Sequence, residues 1–185
     1  MNTDPFIVTT PAQLRALASP VRSQIMDILR QGKEMSVSEL ASLVGASGSA
    51  THYQVDRLVE VGLVVCSGKR RVGPRSEAVY RSVSTRIQIP ARRESPEYME
   101  ALLALVTTAL RKVEREIVEA HRAKSGSQDS PAVRVVERKG YVKPEDLPRL
   151  YALLKEAADL IKQEGTASED IRLGLHAFAV RLPSE

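Results

Sequence analysis

Six basic side chains, Lys69, Arg70, Arg71, Arg75, Arg81 and Arg86, lie between residues 66 and 86, where Glu77 is the only acid. This stretch carries +5, against a formal +4 for all 185 residues, so the rest of the chain sums to −1. Residues 1–90 hold 11 basic and 7 acidic side chains, and residues 91–185 hold 16 of each. Guanidinium and ammonium groups held together do one kind of chemistry well, which is hydrogen bonding to phosphate or carboxylate oxygens. Charge runs are more often solvated surface than binding sites, so the weight of this one depends on the element that carries it.

Other chemistry finds little support. Cys66 is the only cysteine, so no intramolecular disulfide can form, which fits a reducing compartment. Lys69 and Arg70 could lower the Cys66 thiol pKa toward redox activity. On a strand beside Val64 and Val65, however, a cysteine is more often an inert packing residue. Three scattered histidines and one cysteine do not assemble a tetrahedral metal site from one chain. Gly45-Ala46-Ser47-Gly48 lacks the lysine of a phosphate-binding loop, and no Ser/His/Asp set has hydrolase spacing. The acid pairs Glu145-Asp146 and Glu169-Asp170 fall at element starts, where capping explains them. No enzymatic activity and no cofactor are expected.

Aromatic residues make up 4% of the chain and tryptophan is absent, which disfavours a base-stacking surface for single strands. A hydrophobic fraction of 43% suffices for a packed core. Residues 1–10 have neither a basic n-region nor an apolar h-region, and no apolar run approaches the roughly 20 residues of a bilayer span. A cytoplasmic protein with no membrane partner is expected.

The elements give the basic cluster its meaning. Pro11 to Gly32 reads as helix broken at Ser19-Pro20, with Ser19 placed to cap, Val21, Ile25, Ile28 and Leu29 recurring at helical spacing, and Gly32 as the stop. Ser36 and Glu39 form a capping box for a helix ending at Gly45, with Val37, Leu40, Leu43 and Val44 as its apolar stripe. Ser47 to Glu60 is helical again, with Thr51, Val55, Leu58 and Val61 facing inward and Gly62 ending it. Two short helices joined by about three residues have the dimensions of a helix-turn-helix. Leu63–Ser67 and Ala78–Val83 are β-rich, and Gly68, Gly73 and Pro74 mark the stretch between them as a loop. The expectation is a hairpin with a long basic tip, which after a helix-turn-helix makes a winged helix.

Pro96 to Lys124 reads as one long helix capped by Ser95. Met99, Leu102, Leu103, Val106, Leu110, Val113 and Ile117 form a stripe longer than the winged domain needs for its own core, so a second copy of the same helix is the expected partner. After a polar stretch at 124–130, Ala132–Val142 and Ile171–Leu182 are strand candidates flanking a helix from Glu145 to Gln163. The fold class expected is mainly α with small β elements. A winged helix-turn-helix domain spans 1–90, a dimerisation helix 95–124 and a β-α-β unit 131–185.

Leu17-Ala18-Ser19-Pro20-Val21-Arg22, Ile28-Leu29, Val37-Ser38-Glu39-Leu40-Ala41 and Leu58-Val59-Glu60-Val61-Gly62-Leu63-Val64 resemble the ArsR-type winged helix-turn-helix regulators. The likeness covers Leu14 to Val83, under half of the chain. It implies a dimeric transcriptional regulator, a repressor or an activator, whose second motif helix enters the major groove of double-stranded DNA. Helical geometry leaves Gly48, Ser49, His52, Tyr53 and Asp56 on that helix's outer side. Ser47 and Ser49 can then donate to phosphate at the helix start, and Gly48 allows close backbone approach. His52 and Tyr53 are the base-edge candidates. Asp56 accepts from a cytosine amino group or orients Arg57, which joins the candidate set. Gln54 lies closer to the inner side, as a structural residue. Lys69, Arg70, Arg71 and Arg75 would meet the flanking backbone or the minor groove.

The resemblance also bears on metals. Thiolate-type sensors of this family place Cys-x-Cys where this chain has Met35-Ser36-Val37-Ser38. The dimer-helix type uses Asp-x-His with a later His-x-x-Glu, against Glu119-Ala120-His121 here. No metal is therefore expected. A small-molecule effector between the long helix and the C-terminal unit is left open, with no residue pattern to identify it. The competing class is a winged-helix interaction module whose basic wing binds an acidic partner protein.

Overall fold

The computed structural model describes residues 4–72, 75–90, 95–122 and 141–160. The chain opens with a two-residue strand β1 (Phe6–Ile7), then α1 (Pro11–Leu17) and α2 (Pro20–Leu29). Strand β2 (Met35–Ser36) leads into α3 (Val37–Val44) and α4 (Gly48–Glu60). The hairpin β3 (Val64–Val72) and β4 (Arg75–Ser82), a short β5 (Ile87–Gln88) and the long α5 (Pro96–Arg122) follow. A single 3₁₀ turn (Pro144–Asp146) precedes α6 (Leu147–Asp159).

Local chemistry explains most of these boundaries. Thr10 and Gln13 form a capping box at the start of α1, and Pro20 occupies the first turn of α2, where its missing N–H costs nothing. Ser19 holds the N-cap position of α2 but its side chain makes no capping bond. Gly32 is not the stop: α2 ends at Leu29, and Gly32 takes a positive φ of 86° in the turn beyond. The expected box at α3 is present, with the Ser36 N–H donating to Glu39 Oε2 at 2.7 Å and the Glu39 N–H to Ser36 Oγ at 3.3 Å. Gly45 then ends α3 in the left-handed region at φ 69°, which any residue with a Cβ would resist. At the end of α4 the N–H groups of Gly62 and Leu63 donate to Val59 O and Leu58 O, both at 2.9 Å. This paired pattern turns the chain into the wing.

The core is built by Leu14, Leu17, Ile25, Met26, Leu29, Leu40, Val55, Leu58, Leu63 and Val64, with Val8, Tyr98 and Ala101 closing it from either end. Thr51, Val55 and Leu58 are buried as their spacing predicts, whereas Leu43, expected inside, is 54% exposed. The reason is angular: Leu43 lies at the edge of the stripe, about 120° around α3 from Val37 and beyond the buried Leu40. Three strands escape sequence periodicity because each is two residues long. β1 pairs in parallel with β5, and β2 adds to the hairpin to give the order β2-β4-β3.

The first turns of α5 belong to this core. Tyr98 is buried and donates its hydroxyl to Pro90 O at 2.8 Å, while Thr108 Oγ1 donates to Ala18 O at 2.9 Å and Lys112 pairs with Asp27. Residues 1–116 form one compact unit and residues 117–185 another. In the second unit α6 is close to the expected helix, and Tyr141 and Val142, the end of the first strand candidate, are irregular. The rest of that candidate and the whole of the second lie outside the described residues.

Candidate nucleic-acid interface

The inner face of α4 is fixed by Thr51, Val55 and Leu58 in the core, and this fixes what the outer face can present. Ser47, Gly48, Ser49, His52, Tyr53 and Arg57 are all exposed. Ser47 caps the helix, accepting from the Ala50 N–H at 3.3 Å, with Ser49 Oγ 3.3 Å away. The N–H groups of this first turn carry the positive end of the helix dipole. His52 and Tyr53, together with Gly48, Ser49 and Asp56, line an open concavity completed by Val37 and Ser38 of α3 and Glu77 of β4.

Asp56 does not orient Arg57 as one of the two expectations had it. Its carboxylate accepts from His52 Nδ1 at 2.8 Å, one helical turn away, while Arg57 pairs with Glu60 at 2.6 Å. The i,i+4 spacing that joins His52 to Asp56 is the ordinary reach of side chains on one helix face. Gln54 is structural as expected, for its Oε1 accepts from Arg22 Nη1 at 2.8 Å. Arg22 also donates to Ala16 O at 2.7 Å and Arg15 O at 3.2 Å, so one guanidinium ties α4 to the α1–α2 corner. Burial first, and then the nearby Arg57 charge, pull the Arg22 pKa below the usual arginine range. Arg22 nonetheless remains a cation at neutral pH.

The wing differs from the expected loop. Lys69, Arg70 and Arg71 lie on β3 and Arg75 on β4, paired antiparallel with Lys69 opposite Ala78, Arg70 opposite Glu77, Arg71 opposite Ser76 and Val72 opposite Arg75. Gly68 does not end the strand. It takes a φ of 148° beside a bulge between Cys66 and Gly68, so the extra residue is absorbed and pairing continues. Strand alternation puts Lys69 and Arg71 on one face of the hairpin and Arg70 on the other. Arg70 Nη2 reaches both Glu39 carboxylate oxygens, at 2.5 and 2.7 Å, which fastens the wing to the first turn of α3. Glu77 in turn accepts from Ser38 Oγ. The exposed Cys66 thiol donates to Gly68 O at 3.6 Å, within the bulge.

Sequence reasoning missed these ties. Glu39 was legible as a capping residue, but its second partner lies 31 residues away, beyond any local pattern. Arg22 and Gln54 are 32 residues apart and escape for the same reason.

The long helix carries two faces where one stripe was expected. Tyr98 and Ala101 are buried, Leu102 and Leu105 pack against the core, and Thr108 and Lys112 bond to it. Met99, Leu103, Val106, Leu110, Val113 and Ile117 recur at alternating four- and three-residue steps on a second face, about 140° around the helix. Leu103 is 62% and Leu110 51% exposed. Leu102, expected on the outward stripe, instead lies between the two faces and packs inward.

Among the described residues no group of three or more His, Cys, Asp or Glu side chains comes together as a metal site would require. No helix among them is long and apolar enough to cross a membrane.

Residues 17–66 match a family model described as a helix-turn-helix domain. No curated protein matches the chain. Among solved structures, the chain is similar to NolR from Sinorhizobium fredii, at 32% identity over 51% of this chain and 77% of that one, with a TM-score of 0.32. A protein described as a possible transcriptional regulator for arsenical resistance shares 28% identity over 52% of this chain and 82% of its own, with a TM-score of 0.33. The homodimeric winged helix-turn-helix DNA-binding domain of Mb0332 from Mycobacterium bovis, a possible ArsR-family regulator, shares 25% identity over 60% and 82%, with a TM-score of 0.33.

Proposed function

We propose that this chain, a winged helix-turn-helix protein of the ArsR type, is a sequence-specific DNA-binding transcriptional regulator that acts as a homodimeric repressor on a palindromic operator. The observation that supports this reading most is the outer face of α4. Ser49, His52 and Tyr53 stand exposed on a helix whose opposite side is locked into the core, beside a hairpin bearing Lys69, Arg70, Arg71 and Arg75. The α4 residues meet base edges, with Ser47, Ser49 and the wing cations on the phosphates to either side. The outward face of α5, from Met99 to Ile117, joins two copies. The reading includes no metal, since positions 35–38 supply no thiolate and the one Cys lies on the wing.

Selection from random duplexes, followed by anisotropy titrations at two salt concentrations, tests it. The expected result is a palindrome with half-sites about one helical turn apart. Affinity should fall by several orders of magnitude between about 50 and 200 mM salt. Failure to enrich a motif, together with no salt-dependent retention, would overturn the reading in favour of an acidic protein partner.

A further inference from the structure

We infer that Asp56 is a positioning residue that sets the base preference of His52, so that the His52 ring accepts a hydrogen bond from an amino group on the major-groove edge of adenine or cytosine. This rests on the DNA-binding reading above and gives its central side chain a definite chemistry. The Asp56 carboxylate can only accept, and it lies 2.8 Å from His52 Nδ1. The proton of the neutral imidazole is therefore on Nδ1. Nε2 is left as an acceptor on the far side of the ring from Asp56. Both side chains are about half exposed and line the same concavity as Gly48 and Ser49, the small residues one turn before the ring on the helix.

Major-groove edges then sort into two groups for this ring. Adenine N6 and cytosine N4 carry the hydrogens that Nε2 needs, whereas guanine N7 and O6 and thymine O4 present lone pairs. Every base pair presents one amino group on its major-groove edge, so the preference is for which strand carries it, A or C over G or T at one position of each half-site. A single neutral hydrogen bond of this kind gives about two- to tenfold discrimination. Of the other polar groups lining the concavity, Ser38 donates to the Glu77 carboxylate.

Two measurements on the full chain test this. Long-range ¹⁵N–¹H correlation spectra of the free protein at about pH 8 should show His52 protonated at Nδ1, and Asp56→Ala should shift the ring toward the Nε2-protonated form. Selection on random duplexes should give A or C at one strand position per half-site for the natural chain and for Asp56→Asn, whose amide oxygen still accepts. The same position should relax about two- to tenfold in Asp56→Ala and in His52→Ala, with the rest of the motif retained. An Nε2-protonated ring in the natural chain, or a base preference unchanged in Asp56→Ala, would overturn the inference while leaving the DNA-binding reading in place. A natural chain that enriches no motif at all overturns both.

Discussion

Two exposed faces on this molecule have opposite chemistry. The outer face of α4 is polar, with Ser47, Ser49, His52 and Arg57 in water and each linked to a neighbour on its own helix. The outer face of α5 is apolar, with Leu103, Leu110 and Ile117 exposed among the described residues. A polar face stays hydrated at little cost until a ligand arrives, whereas a contiguous apolar one is stable only when covered. On the proposed function, the difference is that between a face that meets DNA intermittently and a face that holds a second copy.

The largest effect is expected on α5. Burial of each leucine contributes about 1.5–3 kcal/mol, and a symmetric interface holds each twice. Leu103→Glu with Leu110→Glu should weaken dimerisation more than about a thousandfold, with operator binding lost alongside it and the monomer still folded. Sedimentation velocity with circular dichroism reads both. A variant that remains dimeric at micromolar concentration would break the contrast between the faces.

The core beneath α4 comes next. Leu58 is fully buried and carries the carbonyl to which the Leu63 N–H returns, so its side chain sits where helix and wing join. Leu58→Ala should cost about 2–5 kcal/mol in denaturant unfolding. A loss below about 1 kcal/mol would mean that the site collapses around the cavity and that α4 is held less rigidly than its buried stripe suggests.

The wing should give a smaller change of a different kind. Lys69→Ala with Arg71→Ala removes four cations from a dimer, all from the strand face opposite Arg70. The slope of log affinity against log salt should become shallower by about 3 to 4, with all sequences weakened about equally. Anisotropy against an operator and a scrambled duplex measures it. Sequence preference that changed more than the salt slope would move base reading onto the wing.

What the sequence disclosed follows the range of the forces involved. Capping boxes, glycine stops and the α4 stripe act within one turn of helix, and Ser36, Glu39, Gly45, Thr51, Val55 and Leu58 could be placed from spacing alone. Two kinds of feature could not. The wing was read as a loop because Gly68 and Gly73-Pro74 are strong punctuation, yet a bulge lets the strand run through Gly68 to Val72. The stripe on α5 was read as one surface because apolar residues at 3.5-residue spacing look alike whichever neighbour they meet. Only the burial of Tyr98 and Ala101 splits the helix into a face for its own domain and a face turned outward. Asp56 shows the same limit at the candidate site. Its charge was visible, but its choice of His52 over Arg57 depended on which side chain the helix brought within reach.

The smallest effects probe how the wing is held beside α4. Ser36 is fully buried and supplies the cap oxygen of α3, and Ser36→Ala should cost about 1 kcal/mol. Glu39→Gln leaves the box in place, because glutamine at the third position can still accept from the Ser36 N–H, and removes only the charge that faces Arg70. That ion pair is partly exposed, so less than about 1 kcal/mol should be lost. Ranking the two variants by thermal unfolding therefore separates the cap from the tie. If Glu39→Gln proves the more destabilising, the Arg70 contact holds the hairpin against α3 more firmly than an exposed pair should. The wing would then be part of the rigid frame that presents α4, with Arg70 committed to that frame rather than to phosphate.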